Sequence, residues 1–250
     1  MSKTSAFLGA IAMMGLLGGC PQQAVDDGSA AELPDFSAAR FSNPVQIDNP
    51  YLPLMAGDRR VYQSESADGL EVTTVEVLSE TREVAGVLCR VVRDTVTLDG
   101  VVIEDTFDWF AQDDAGNVWY MGEDVDNYNY DDAGVLIDVT HEGSWEAGLD
   151  VAGVGAAAQP GIQMLADPAA GDAYYQEFYP GEAEDEASVV DRTASVVLAG
   201  GARFTALQTR DATALDAAAV EHKFYVIGVG LVLEENLTDG SRTELIEGIP

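Results

Sequence analysis

The sequence predicts an all-β protein: a single antiparallel β domain over residues 46–250, barrel-like or a strongly curved sheet, built from meander hairpins. Three observations predict it. From "NPYLPLMAGDRRVYQ" onward the chain breaks into short runs rich in β-branched and aromatic residues. Hairpin signals separate the runs: "DG" at 68–69, 99–100 and 239–240, "DDAG" at 113–116 and 131–134, "GG" at 200–201. No capped stretch of helical period competes with them.

Ahead of that domain, residues 1–19 read as a lipoprotein signal peptide. "MSK" carries the positive charge of a short n-region, and "AFLGAIAMMGLL" is too short to span a bilayer as a retained helix. The stretch ends in "LGGC", a lipobox-like pattern whose Cys20 is the residue predicted to be lipidated. An ordinary secretory signal cut elsewhere is the alternative. A diacylglycerol thioether and an acylated amine, palmitate among the candidates, would hold the chain to a membrane lastingly where one acyl chain would not. The lipid bilayer is thus an expected partner, reached through lipid rather than a spanning segment. Pro21 stands where an aspartate favours inner-membrane retention, so a Gram-negative host implies the periplasmic face of the outer membrane, and any other host the cell surface. Residues 20–45 are small, polar and proline-interrupted, and are expected to be a flexible lipidated tether.

Candidate strands then follow at 59–66, 70–80, 87–98, 101–112, 117–123, 135–141, 173–179, 187–198, 203–210, 220–227, 230–237 and 242–247. The glycine-rich stretch 147–171 reads as a lid or a long loop. A two-residue turn at Asp99-Gly100 would pair Leu98 with Val101, Val96 with Ile103, Asp94 with Asp105, Val92 with Phe107 and Arg90 with Trp109. Four of these pairs suit a core or a cation–π contact; the Asp94–Asp105 pair sets two carboxylates opposite each other on an apolar face. A bulge, neutralisation by Arg90 or Arg93, or a cation or shared proton would each relieve it. A four-residue loop at "DDAG" would pair Phe110 with Trp119 and Trp109 with Tyr120.

Composition excludes some functions. A net charge of −32 from 44 acidic and 12 basic residues repels nucleic-acid phosphates and any anionic lipid face, so no nucleic-acid partner is expected. The same charge suits salty surroundings or cation binding. With Cys20 lipidated, Cys89 has no disulfide partner, and its setting "GVLCRVV" reads as a buried structural thiol. His141 and His222 have no zinc-site spacing. No nucleophile elbow or phosphate-cradling loop is present, so no catalytic residue is assigned and the chain is read as a non-enzyme before an enzyme.

Two candidate surfaces remain. Trp109, Trp119, Tyr120 and Trp145 would line an apolar or aromatic ligand site, for a lipid or another small apolar ligand. Glu123, Asp124, Glu177, Glu182, Glu184 and Asp185 would hold a divalent cation, Ca²⁺ among the possibilities, in an exported hydrolase. The loop "EDVDNYNYDDAG" at 123–134 matches a calcium loop only loosely, lacking the glycine and glutamate at the required places. Solvated acidic turns are the plain alternative for both acidic stretches.

The blocks "NPYLPLMAGDRRVY", "EDTFDWFAQDDAGNVWYMGED", "GSWEAG", "QPGIQMLADPAAGDAYYQEFYPGEAED" and "GVGLVLE" resemble an uncharacterised family of bacterial exported proteins and lipoproteins, in the same order. That resemblance implies an exported β-rich domain and carries no catalytic residue. The ending "HKFYVIGVGLVLEENLTDGSRTELIE" also looks like the last strands of lipoprotein-carrier-like curved sheets, which hold acyl chains in an apolar concavity. The expected function is a membrane-anchored lipoprotein acting as a binding or envelope-maintenance module, with the cation-dependent hydrolase and a structural envelope protein as alternatives.

Overall fold

Fifteen strands make one antiparallel sheet in a computed structural model that describes residues 30–248. The stretches read as signal peptide and lipobox, with Cys20 and the first part of the expected tether, lie outside the described residues. The first six strands are β1 (Arg59–Ser66), β2 (Gly69–Val84), β3 (Val87–Leu98), β4 (Val101–Gln112), β5 (Val118–Tyr130) and β6 (Leu136–Thr140). After them come β7 (Trp145–Glu146), β8 (Gln159–Met164), β9 (Ala173–Tyr175) and β10 (Glu177–Phe178). The last five are β11 (Asp185–Val197), β12 (Arg203–Thr213), β13 (Asp216–Val226), β14 (Gly230–Asn236) and β15 (Arg242–Glu247). Among the described residues there is no α-helix, only a 3-10 turn at Phe36–Ala38.

The strand order is β10-β8-β5-β4-β3-β2-β1-β15-β14-β13-β12-β11-β9, with β6 and β7 also on β5. The two ends of that order, β9 and β10, are neighbours in the chain, separated by Gln176 alone. β9 pairs with β11 and β10 pairs with β8, so residues 173–178 draw the sheet's two edges together and nearly close a barrel. Gly161 makes this seam possible: a Cβ there would sit 2.3 Å from the Gln176 carbonyl.

Both termini of the hairpin region follow turn chemistry. Asp99 and Gly100 take φ of 50° and 83°, the left-handed pair that a two-residue hairpin needs. Leu98 pairs with Val101 as expected, and then a bulge between Val96 and Thr97 shifts the register. Val96 now faces Glu104, Asp94 faces Thr106, Val92 faces Asp108 and Arg90 faces Phe110. The expected pairs beyond the turn are therefore displaced by one residue, and with period-two side chains the displacement turns the other face of β4 inward. The "DDAG" loop is likewise longer by one: Phe110 pairs with Tyr120 and Ala111 with Trp119.

Residues 30–45, expected to be part of the tether, are docked on the body. Glu32 bridges to Tyr174, Phe36 and Phe41 pack on Trp119, and the Asp114 carboxylate accepts from the Ser42 N–H and hydroxyl. The following segment crosses one end of the barrel and plugs it with Ile47, Tyr51, Leu52 and Leu54, all buried. Hydrogen bonds pin the plug to that rim, among them Gln112 N–H to Pro44 O, Gly228 N–H to Pro50 O, and Asn49 Nδ2 to Gly116 O. The stretch 147–171 is not one long loop, because β8 within it pairs with β5 over Val118–Tyr120. Interior packing at the plugged end is apolar and aromatic. Toward the turns at 99–100, 214–215 and 237–240 it becomes polar.

Candidate functional site

The register shift decides what lines the interior. With Glu104, Thr106, Asp108 and Phe110 turned inward, β4 delivers two carboxylates to the core, where the unshifted hairpin would have placed Ile103, Asp105, Phe107 and Trp109. Asp105 goes outward and finds a partner: Arg93 Nε and Nη2 donate to its two oxygens, both at 2.7 Å. Two of the expected remedies for the Asp94–Asp105 clash thus operate together, a bulge and Arg93. Asp94 exchanges one acidic neighbour for two, Glu104 and Asp108.

Further inward-facing acids complete a belt. Glu123 on β5 stands opposite Asp108. Glu177 on β10 faces the interior from the seam strand. Across the barrel, Asp211 and Glu221 are paired on β12 and β13, and Glu234 on β14 is opposite Lys223. Asp94, Glu104, Asp108, Glu123, Glu177, Asp211, Glu221 and Glu234 are all buried, with Lys223 among them. Lys223 Nζ lies 3.5 Å from Asp211, 3.9 Å from Glu234 and 4.0 Å from Glu221. Few other donors reach the belt: Tyr120 OH donates to Asp108 at 2.7 Å, Thr106 to Glu104 at 3.1 Å and Thr209 to Asp211 at 2.6 Å. Both oxygens of Asp94, Glu123 and Glu177 lack a hydrogen-bond partner among the described residues, as do Thr73 Oγ1, Gln163 Oε1, Tyr174 OH and Trp145 Nε1. Native interiors rarely leave so many polar atoms unmatched without water, an ion or a function to account for them.

Burial governs the proton affinities. Desolvation, helped by Asp108 and Glu104, raises Asp94 well above the carboxylate range. Glu104 and Asp108 are each raised to about 7 by burial, against the lowering effect of Thr106 and Tyr120 respectively. Glu123 and Glu177 are pushed up by burial and by acidic neighbours, which for Glu123 means Glu177 first and for Glu177 means Asp185 first. The Trp145 indole N–H eases Glu177 downward. Lys223 loses from burial but gains more from Glu234, Asp211 and Glu221, and stays charged. The belt can therefore hold protons at neutral pH, or exchange them for a cation.

The aromatic candidates split between two faces. Trp119 points outward under Phe36 and Phe41, its Nε1 donating to Asp113 at 2.9 Å. Trp109 is covered by the Arg82 guanidinium, 3.9 Å above its ring, a cation–π contact expected from Arg90. Arg82 is fixed in turn by Glu146 at 2.6 Å. Tyr120 and Trp145 do come together inside, edge to face at 5.3 Å, with Phe110 stacked on Tyr120 at 4.9 Å.

Of the acidic candidates, Glu123 and Glu177 share the interior, and Asp185 lies within electrostatic reach of Glu177. Asp124 and Glu182 are exposed, and Glu184 accepts from the Gly181 N–H across its turn. Among the described residues no three His, Cys, Asp or Glu side chains gather round one point as metal ligands. The 123–134 stretch is not a loop but strand β5 as far as Tyr130, and in the turn after it Asp131 accepts from the Ala133 and Val135 N–H groups. His141 lies exposed beside Asp126 at 2.9 Å. Cys89 is fully buried, its thiol pushed up to about 12 by desolvation. Sequence reading flagged Asp94 through its clash with Asp105, but missed Glu104, Asp108, Asp211, Glu221, Lys223 and Glu234 as site residues. The signal for Glu104 and Asp108 was that same clash, but the bulge that resolves it leaves no mark in composition.

No protein-family profile matches the chain, and no curated protein matches it. Among solved structures, a crystal structure described as that of "a putative lipoprotein from Parabacteroides distasonis" aligns at 14% identity over 80% of this chain and 98% of that one, with a TM-score of 0.33. A likeness of that size bears on neither ligand nor reaction.

Proposed function

We propose that the chain is an exported protein held to the cell envelope by lipid on Cys20, and that its barrel is a binding module with the ligand inside the carboxylate belt. The observation that carries the binding role is the set of buried, unpartnered oxygens on Asp94, Glu123 and Glu177 beside the aromatic pair Tyr120 and Trp145. Burying acceptors without donors costs on the order of 1–3 kcal/mol each, and a bound ligand that supplies donors would offset it. The lipobox supports export and anchoring; Pro21 favours the outer membrane, periplasmic side, in a Gram-negative host. In this reading no residue is catalytic, and the cation-dependent hydrolase would need Asp124, Glu182 and Glu184 to leave their surface positions.

Native mass spectrometry of protein purified without denaturant tests the binding role: a stoichiometric small molecule, lost when Glu123→Gln and Asp108→Asn are combined, is expected. A ligand-free protein that keeps its interior filled with water alone would sink it. Metabolic labelling with palmitate tests the anchor, with label and membrane association both expected to vanish in Cys20→Ser.

A lipid or other apolar ligand is a second reading, favoured by a groove of about 490 Å³ beside the docked N-terminal segment. Pro34, Phe36, Ala85, Ala157, Ala158 and Pro160 line it. Protection of Phe36 from solvent by added fatty acid, seen by NMR, would select it.

A further inference from the structure

We infer that the ligand of the barrel interior carries an ammonium group, bound in the arc formed by Asp94, Glu104, Asp108, Glu123 and Glu177. This rests on the interior-binding reading and names the chemistry of its ligand.

The belt already shows what it accommodates. On its far arc an ammonium group, that of Lys223, sits among three carboxylates at 3.5 to 4.0 Å. The near arc has five carboxyl groups and, among the described residues, no ion pair to a basic side chain is seated there; Lys223 reaches it only as a longer-range attraction on Glu177. The three arginines on adjoining strands are engaged elsewhere. Arg93 holds Asp105, Arg82 covers Trp109, and Arg90 donates to the carbonyls of Leu78, Ser79 and Val45. The two arcs thus share a lining and differ in whether a cation is present.

Independent of the acids, Gln163 Oε1 and Thr73 Oγ1 are buried without partners. Thr73 stands on the same face of β2 as Val75, the residue opposite Asp94, so its hydroxyl is turned to this arc. The surround is almost all acceptor, and an ammonium group is all donor. It is also the cation that fits the spacing. A metal ion draws its ligands to about 2.0–2.6 Å, and no three acidic groups here converge to that. An ammonium hydrogen-bonds at about 2.8 Å and tolerates the wider spacing seen round Lys223. The Tyr120 and Trp145 rings beside Asp108 and Glu177 add faces that attract a desolvated ammonium.

Titration calorimetry and thermal unfolding with methylammonium chloride and with putrescine, against sodium chloride at matched ionic strength and against calcium chloride, test the inference. The ammonium probes are expected to raise the unfolding temperature. Glu123→Gln is expected to weaken binding on the order of tenfold or more, and the exposed Asp132→Asn to leave it unchanged. Equal shifts from sodium, a response to calcium alone, or binding that survives Glu123→Gln would each overturn it. In the wild-type protein, which needs no variant to fold, ¹⁵N-methylammonium should show a nuclear Overhauser contact to the Trp145 indole proton, and its absence overturns the inference too. A co-purified interior ligand without an amine would overturn this inference and leave interior binding standing; no interior ligand of any kind would remove both.

Discussion

Asp108 and Glu123 face each other across β4 and β5, both buried, with Tyr120 OH the only group among the described residues that donates to the pair. Two carboxyl groups in that position cannot both ionise cheaply, so one holds a proton well above its ordinary range. Replacing one by its neutral amide removes the repulsion and keeps the volume. Asp108→Asn is expected to stabilise the ligand-free protein at pH 8 by about 1–3 kcal/mol, read from the urea midpoint. A loss of stability at pH 8 would show that the pair is compensated by something else.

The pH dependence follows with a definite sign. Glu104 and Asp108 are raised to about 7, and Asp94, Glu123, Glu177 and Glu234 are raised well above the ordinary carboxylate value too, so the folded state binds more protons than the unfolded one. Their contribution is complete below the ordinary carboxylate range and is lost as pH climbs through the raised values, at about 1.4 kcal/mol per group per pH unit while each titrates. Four surface aspartates, Asp35, Asp114, Asp150 and Asp239, are lowered by local hydrogen bonds and act oppositely, only below the usual range. The urea midpoint should therefore fall steadily from pH 5 to pH 8. Surface repulsion from the −32 charge pulls the same way, but 1 M salt screens it and leaves the buried effect. A midpoint that becomes flat in 1 M salt would assign the whole trend to the surface.

Lys223 is, among the described residues, the one cation paired within the belt, and its loss leaves Asp211, Glu221 and Glu234 facing one another. Lys223→Met keeps the stem and removes the charge. The expected cost is about 3–5 kcal/mol at pH 8, shrinking toward pH 5 as Glu234, already raised by its burial, takes up a proton. Equal cost at both pH values would mean that packing of the stem, not charge, is what matters.

How much of this was legible in the sequence depends on the kind of signal. Strands at 59–66, 87–98, 101–112 and 242–247 end where the structure ends them, because glycine-containing turns mark both limits. The Asp99-Gly100 turn was equally plain. The bulge between Val96 and Thr97 was only half legible: the Asp94–Asp105 clash named a bulge as one of several remedies, but no local residue fixes its place, and it alone decides whether Asp105 or the pair Glu104 and Asp108 turns inward. β8 was hidden for a related reason. "QPGIQM" carries a proline and a glycine at its second and third positions, both weak in strands, yet Gly161 is required there by the backbone of Gln176. Trp119 and Trp109 read as ligand wall because the sequence does not reveal that Phe36, Phe41 and Arg82 cover them.

Cys89 offers a direct probe of the closed body. Its thiol is buried and raised to about 12, so almost no thiolate exists at pH 8 and a disulfide reagent cannot reach it. With Cys20 lipidated or replaced by serine, no thiol should react in the native protein, and one should react in 6 M guanidinium. Rapid native labelling would place Cys89 in a segment that opens readily.

The seam at residues 173–178 is the weakest part of the wall on physical grounds. It joins the sheet's edges through two strands of three and two residues, and Glu177, one of its interior groups, is a buried acid facing Glu123. Gly161→Ala would put a methyl group 2.3 Å from the Gln176 carbonyl and force β8 and β10 apart. A cost of about 1–3 kcal/mol is expected, concentrated at the seam. Hydrogen exchange at the amides of 176–179 should rise by on the order of tenfold or more, while those of β3 and β4 change only as far as global stability falls. Uniform acceleration across all strands would instead show that the barrel opens as one unit and that the seam is no separate gate.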